Sequence, residues 1–229
     1  MAEASNSERP GEQKSLAGGL EVSGRRGPFL VVGLGNPGLE YVWTPHNAGF
    51  MAIDRIAVQE GVVVQNRRCR ATTATCRIAG REVILAKPET FMNLSGGAVA
   101  ALIREFEADP AKDLLVIYDE LDFPLGTFKI RERGSPAGHN GARSVTSALG
   151  SEEWLRLRIG VGQDLPPEAK EAGAKRPGRD YLLSPMRKAD LTVLDEVLDK
   201  VATATRRIIQ DGPGPAMNEF NRKDVKDRE

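Results

Sequence analysis

Between Phe29 and Gly49 the chain reads FLVVGLGNPGLEYVWTPHNAG. Its opening run, Phe29–Leu34, is almost wholly apolar and shows no polar alternation, the pattern of a strand covered on both faces. Leu114–Tyr118 repeats that pattern and ends directly at Asp119. Strands of this kind belong to layered α/β folds, in which helices cover both sides of a largely parallel sheet. With 229 residues the chain has enough material for a substantial core of that type.

The remaining elements follow from periodicity. Phe50, Ile53 and Ala57 recur at helical spacing before Gly61, and Val62–Val64 and Arg70–Ile78 read as strands. Ala79-Gly80 makes a hairpin turn into Val83–Ala86. After the loop KPETFMN, Ser95 is expected to cap a helix carrying Val99, Leu102, Ile103 and Phe106. Phe128 and Ile130 alternate with Lys129 and Arg131. Leu157, Ile159 and Val161 alternate with Arg156 and Arg158, giving an apolar and a basic face. Residues 163–180 lack periodicity and read as a loop or lid. Ser184-Pro185 is expected to open a helix whose stripe is Leu191, Leu194, Leu198, Val201 and Ile208. The organisation that results is a tail over 1–27, one α/β domain over 28–221 with a twisted mixed sheet and helices on both faces, and a frayed end over 222–229.

Charge and composition narrow the function. Lys plus Arg and Asp plus Glu both total 32, which argues against wholesale coating of nucleic acid while allowing a local basic face. Cys69 and Cys76 sit at odd spacing in one strand-like segment and point to opposite faces, so they form no local disulfide. Two histidines and two scattered cysteines give no zinc-type spacing. No apolar run reaches membrane-spanning length, and the N-terminal residues have neither the apolar centre of a secretion signal nor the acid-poor character of a transit peptide. A reduced, cytoplasmic protein is the expectation.

Gly33-Leu34-Gly35-Asn36-Pro37-Gly38 matches the dinucleotide fingerprint G-x-G-x-x-G after a strand. Pro45, however, falls where the motif's helix would run, and Val62–Val64 leads to Gln65-Asn66 instead of an acid for the ribose. The segment reads better as a glycine-dependent turn presenting Asn36. Asp119, at a buried strand end, lies where open α/β sheets bind ligands. If it meets His46, the carboxylate fixes the tautomer and supports the imidazolium of a base working near neutrality. Asn36, Asn93 and Asn140 supply neutral donors and acceptors suited to a peptide backbone or an oxyanion. The set suits acyl transfer to water without a covalent nucleophile. No G-x-S-x-G elbow occurs, and both thiols read as packing residues. The acids of Asp119-Glu120-Leu121-Asp122 form either a magnesium site or a plain acidic turn. His139 reads as a capping or packing residue. Lys129, Arg131, Arg133, Arg143, Arg156 and Arg158 are either solvated faces or a phosphate grip.

Taken together, VVGLGNPGLEY, His46-Asn47-Ala48-Gly49, KPETFMNLSGGAV, YDELDFPLG, AGHNGARS, LRLRIGVG, DYLLSP and NEFNR resemble, in order, the bacterial-type peptidyl-tRNA hydrolase family over nearly all of Pro28–Arg222. The resemblance implies hydrolysis of the ester joining a peptide to the 3′-ribose of tRNA, by a monomer needing neither metal nor cofactor. It implies His46 as general base on water and Asp119 as its support. Asn36 and Asn93 would hold the peptide backbone, and Asn140 the water or substrate. Tyr41 and Phe91 match positions that contact the tRNA end, and Arg131 and Arg158 a basic pair that takes the 5′-phosphate. Pro45, and Ser135-Pro136-Ala137 before Gly138-His139-Asn140, depart from the family pattern. The alternatives are an RNA-binding relative without catalysis, of the kind that serves in intron splicing, and a dinucleotide-binding oxidoreductase.

Overall fold

Phe29–Gly33 forms β1, and every one of its five residues is buried. In the computed structural model, which describes residues 27–163 and 178–221, β1 is the centre of a seven-stranded mixed sheet. The other strands are β2 (Asn66–Arg68), β3 (Ala71–Ile78), β4 (Arg81–Pro88), β5 (Leu114–Pro124), β6 (Phe128–Arg131) and β7 (Leu155–Gly162). Their order is β2-β3-β4-β1-β5-β7-β6. β4, β1, β5 and β7 run parallel, while β2, β3 and β6 join antiparallel at the two edges. The mixed sheet read from the sequence is the one observed.

Alternation along β1 divides the core. Phe29 and Val31 face α1 (Ala48–Gln59) and the long helix α5 (Lys188–Asp211). Leu30 and Val32 face α2 (Ser95–Glu105) and α3 (Asn140–Leu149). A short α4 (Arg179–Leu183) precedes α5, and α6 (Pro213–Phe220) packs on β6. Both apolar faces are thus covered by helices, which explains why the central strands carry no polar alternation. Among the described residues no helix is long and apolar enough to cross a membrane.

Several boundaries differ from the sequence reading, each for a local reason. Val62–Val64 is not a strand: the Val62 amide donates to Ala57 and closes the end of α1, and the exposed edge strand is Asn66–Arg68. Cys69 is not mid-strand either. With Arg70 it forms the β2–β3 turn at φ 53° and 59°, conformations a two-residue hairpin turn requires even of non-glycine residues. Ser95 is the first residue of α2 and its hydroxyl makes no capping bond; Leu94 occupies the cap. Ser184-Pro185 ends α4 instead of opening α5, because the residue before proline is driven to extended geometry, here ψ 146°. Most of the 163–180 loop and both tails lie outside the described residues.

The glycines after β1 serve close approach more than unusual dihedrals. A Cβ on Gly33 would lie 2.1 Å from the Gly49 carbonyl oxygen, and one on Gly49 would lie 2.4 Å from the Ile117 oxygen and 2.5 Å from that of Leu34. Only Gly38 in this stretch has positive φ, at 122°. The start of α1 is therefore pressed against the end of β1 and against Ile117 of β5, with backbone on both sides. Gly49→Ala is expected to destabilise the fold by on the order of 3 kcal/mol, the top of the usual overpacking range. The check is a lowered denaturant midpoint at unchanged slope.

Candidate active site

That close approach sets the site. Two 3-10 turns, Leu39–Tyr41 and Pro45–Asn47, carry the chain from β1 to α1, and the second packs against β5. Proline at the first position of the second turn fixes the φ that a helical start needs. The middle of this connection is exposed, with Leu39 91% and Trp43 59% accessible, but its two ends are tucked in: the His46 side chain is 11% accessible, and Asn36 and Asn47 are buried.

β5 does not stop at Asp119, as the sequence suggested, but runs on to Pro124; Asp119 lies in the middle of the strand, within its buried run, and is itself 1% exposed. His46 Nδ1 donates to Asp119 Oδ1 at 2.9 Å. The second histidine, His139, donates through Nε2 to the same oxygen, also at 2.9 Å. His139 Nδ1 in turn accepts the Ala142 amide at 3.1 Å and caps α3. An accepting Nδ1 places the ring's proton on Nε2, so its tautomer is set by the cap. For His46 the Nδ1–H bond leaves Nε2 as the basic nitrogen. Burial raises the energy of the Asp119 carboxylate, but the two imidazoles, by charge and hydrogen bonding, hold its pKa well below the usual carboxylate range.

The asparagines come next. Asn47 brackets the Asn36 backbone: its Oδ1 accepts the Asn36 amide at 2.8 Å and its Nδ2 donates to the Asn36 carbonyl at 3.0 Å. Asn36 Oδ1 accepts the Met92 amide at 2.8 Å. That bond joins the glycine turn to the Met92–Leu94 turn, which carries Asn93. The same turn packs on α3, whose first residue is Asn140. Asn36, Asn93, Asn140 and His46 are thus gathered by contacting elements at the carboxyl ends of parallel strands, where such sheets bind ligands. Phe91 is 54% exposed on the rim, and Tyr41 is half-buried.

The basic face lies one strand further along. Register sets Lys129 opposite Arg158 and Arg131 opposite Arg156, so Arg131 and Arg158 are diagonal neighbours. Arg158 is ion-paired: its Nε donates to Glu120 Oε2 at 2.8 Å, and its Nη2 donates to the same oxygen. Its guanidinium lies 4.7 Å from the centre of the Phe123 ring, which Lys129 shares at 5.2 Å. Arg131 is exposed. Arg156, grouped with the other cations in the sequence, is neither solvated nor on the surface, at 2% exposure.

Residues missed by sequence reasoning are Asn47, Glu120 and the second half of His139's role. The signal for two of them was present: both histidines of the chain are followed by asparagine. Glu120 is committed to Arg158 and accepts the Asp122 amide, while Asp119 turns to the histidines, so the acids of that run are not gathered round one point. The ligating atoms of His46, Asp119 and His139 lie within 4.8 Å of one another, yet in the tautomer set by its cap the Nε2 of His139 carries a proton and no lone pair for a metal.

A base held by a buried carboxylate, on an open α/β sheet and flanked by carboxamides, defines the equipment of a water-activating hydrolase. The comparisons specify which. The model of the peptidyl-tRNA hydrolase family matches residues 30–228. A peptidyl-tRNA hydrolase from Acidobacterium capsulatum is 60% identical over 196 residues, covering 86% of this chain and 96% of that protein. One from Koribacter versatilis is 52% identical over 194 residues, covering 85% and 92%. The crystal structure of peptidyl-tRNA hydrolase from Acinetobacter baumannii superposes with a TM-score of 0.73 at 30% identity, covering 85% of this chain and 94% of that one. The chain belongs to the peptidyl-tRNA hydrolase family.

Because the folded pKa of Asp119 is depressed, its carboxylate contributes stability above its unfolded value of about 3.9 and loses that contribution as pH falls toward the folded value. Asp119→Asn is expected to be less stable than the parent at pH 6 and to lack this component of the acid limb. Thermal midpoints from pH 6 down to pH 3 test it: the gap between the two proteins narrows as pH falls.

Proposed function

We propose that the chain hydrolyses the ester between a peptide and the 3′-ribose of tRNA, with His46 as the general base. His46 Nε2 takes a proton from water as the water oxygen attacks the ester carbonyl. The resulting imidazolium is stabilised through Nδ1–H by Asp119. Carboxamide N–H groups facing the carbonyl meet the negative charge that develops on its oxygen. Collapse of the tetrahedral intermediate expels the ribose 3′-oxygen, which recovers the proton from His46, leaving free peptide acid and tRNA. His139 keeps Asp119 ionised by adding a second donor to it, so the carboxylate orients the base and does not compete for its proton.

The observation that carries this reading is the single buried oxygen of Asp119 accepting from both imidazoles. Asn36 and Asn93 hold the peptide backbone, and Asn140 positions water or substrate. Tyr41 and Phe91 meet the tRNA end. Arg131 and Arg158 receive the 5′-phosphate, with Glu120 and Phe123 holding Arg158 ready for it. A phosphate recognised in this way selects a class of substrate and carries no base sequence information.

His46→Ala is expected to lower kcat for release of an N-acetylated amino acid from tRNA by about 10²- to 10⁴-fold, the usual worth of a general base. Near-parental activity in the purified variant would remove His46 from that role, and tRNA binding without turnover in the parent would instead support the RNA-binding alternative. The phosphate assignment has its own check. Dephosphorylating the tRNA 5′ end should raise KM for the parent but leave Arg131→Ala little changed. Additive effects of the two alterations would place the phosphate elsewhere.

A further inference from the structure

Arg156 is the one buried cation among the described residues, and the catalytic scheme above makes no use of it. No described carboxylate forms an ion pair with it, and burial pulls its pKa down against the opposing influence of Tyr118 and, from further away, Glu152. What holds it is a pair of carbonyls and an aromatic face, with the Tyr118 hydroxyl interacting directly beside them. Nη1 donates to the Ser135 oxygen at 3.3 Å, and Nη2 to the Glu152 oxygen at 3.0 Å. The guanidinium carbon lies 3.6 Å from the centre of the Trp154 ring.

Both contacts lead toward the site. The Ser135 carbonyl belongs to the loop before α3, in which Gly134, Ala137 and Gly138 all have positive φ, at 144°, 47° and 84°. A Cβ on either glycine would meet nothing within 4 Å, so these positions gain little from packing. The Pro136 carbonyl accepts the His139 amide at 2.9 Å, and His139 then reaches Asp119. On the other side, Trp154 packs on Tyr118 with ring centres 6.3 Å apart, and Tyr118 packs on His139 at 4.7 Å. A planar fork that donates to two carbonyls while stacking on a ring is chemistry a lysine cannot reproduce.

We propose that Arg156 is a positioning residue for the hydrolysis: it pins the 134–138 loop and the tilted Trp154–Tyr118 pair, and through them sets His139 against Asp119 and Asn140 at the head of α3. The inference rests on the active-site reading above for its effect on rate, but its effect on His139 is independent of that reading. The test uses the full chain with Arg156→Met and Arg156→Lys, and Ile208→Ala as a core variant away from the site. With only two histidines in the chain, ring-nitrogen correlation spectra resolve each tautomer directly. The parent should show His139 as the Nε2–H form. Arg156→Met should mix its tautomers and lower kcat by about 10- to 100-fold, the scale of a misplacement near 1 Å, with KM within a few-fold of the parent. Arg156→Lys should fall between the two, and Ile208→Ala should leave the ring spectra and kcat unchanged despite a lower thermal midpoint. Unmoved His139 nitrogens in Arg156→Met would overturn the proposal, as would kcat within twofold of the parent. If the Met variant does not fold, parental spectra and kcat in Arg156→Lys overturn it equally. A parent protein inactive on N-acetylated aminoacyl-tRNA would instead remove the active-site reading while leaving the His139 result to be judged alone.

Discussion

Everything at the site depends on one carboxylate oxygen. Asp119 Oδ1 accepts two imidazole N–H groups while almost wholly removed from water. Burying a charge costs several kcal/mol unless it is well paired, and here the pairing comes from side chains on two separate loops. The same oxygen therefore ties the β1–α1 turns and the loop before α3 to the middle of β5. Chemistry and local order are one arrangement: the bonds that ready His46 as a base also hold the loops that carry Asn36 and Asn140 near it.

That arrangement needs backbone at close quarters. Gly33 and Gly49 let α1 begin against β1 and β5 with no side chain between them, which brings the Pro45–Asn47 turn onto Asp119. Asn47 then satisfies both backbone polar groups of Asn36, so a buried turn carries no orphaned donor there. The resemblance of this turn to a nucleotide-binding loop is superficial for the same reason. Its glycines accommodate a neighbouring helix instead of a pyrophosphate, and the helix starts at Ala48, well beyond the motif.

Much of this was legible in the chain. The all-apolar run of β1 implied cover on both faces, and Asp119 at the end of a second such run implied a ligand crevice. Alternation around Arg156 and Arg158 correctly separated a basic from an apolar face on β7. It could not say that one of those arginines is capped by Trp154 and buried, because periodicity reports the side of a sheet and not what lies over it. Val62–Val64 misled for a related reason: Val62 and Val64 pack on the core from an irregular segment while Val63 is exposed, and that alternation was mistaken for strand pairing. His139 was read as a cap, which it is. Its second bond depends on a contact with Asp119 that no local pattern encodes.

The distribution of cations bears on how a chain of zero net charge can act on RNA. On the β6–β7 face Arg156 is committed to the interior and Arg158 to Glu120, leaving Arg131 and Lys129 as the cations nearest solvent beside them. A surface so arranged cannot gain much from general attraction to a polyanion, whose contribution grows with the number of phosphates neutralised. It is suited to a few contacts at a defined end of the molecule. On the proposed assignment, the pairing of Arg158 with Glu120 and its contact with Phe123 sharpen this, because a cation already paired and stacked lowers the reward for a phosphate in the wrong position. On the proposed phosphate assignment, selectivity for an acceptor end comes from geometry, and the zero net charge of the whole chain limits competition from the remainder of the RNA.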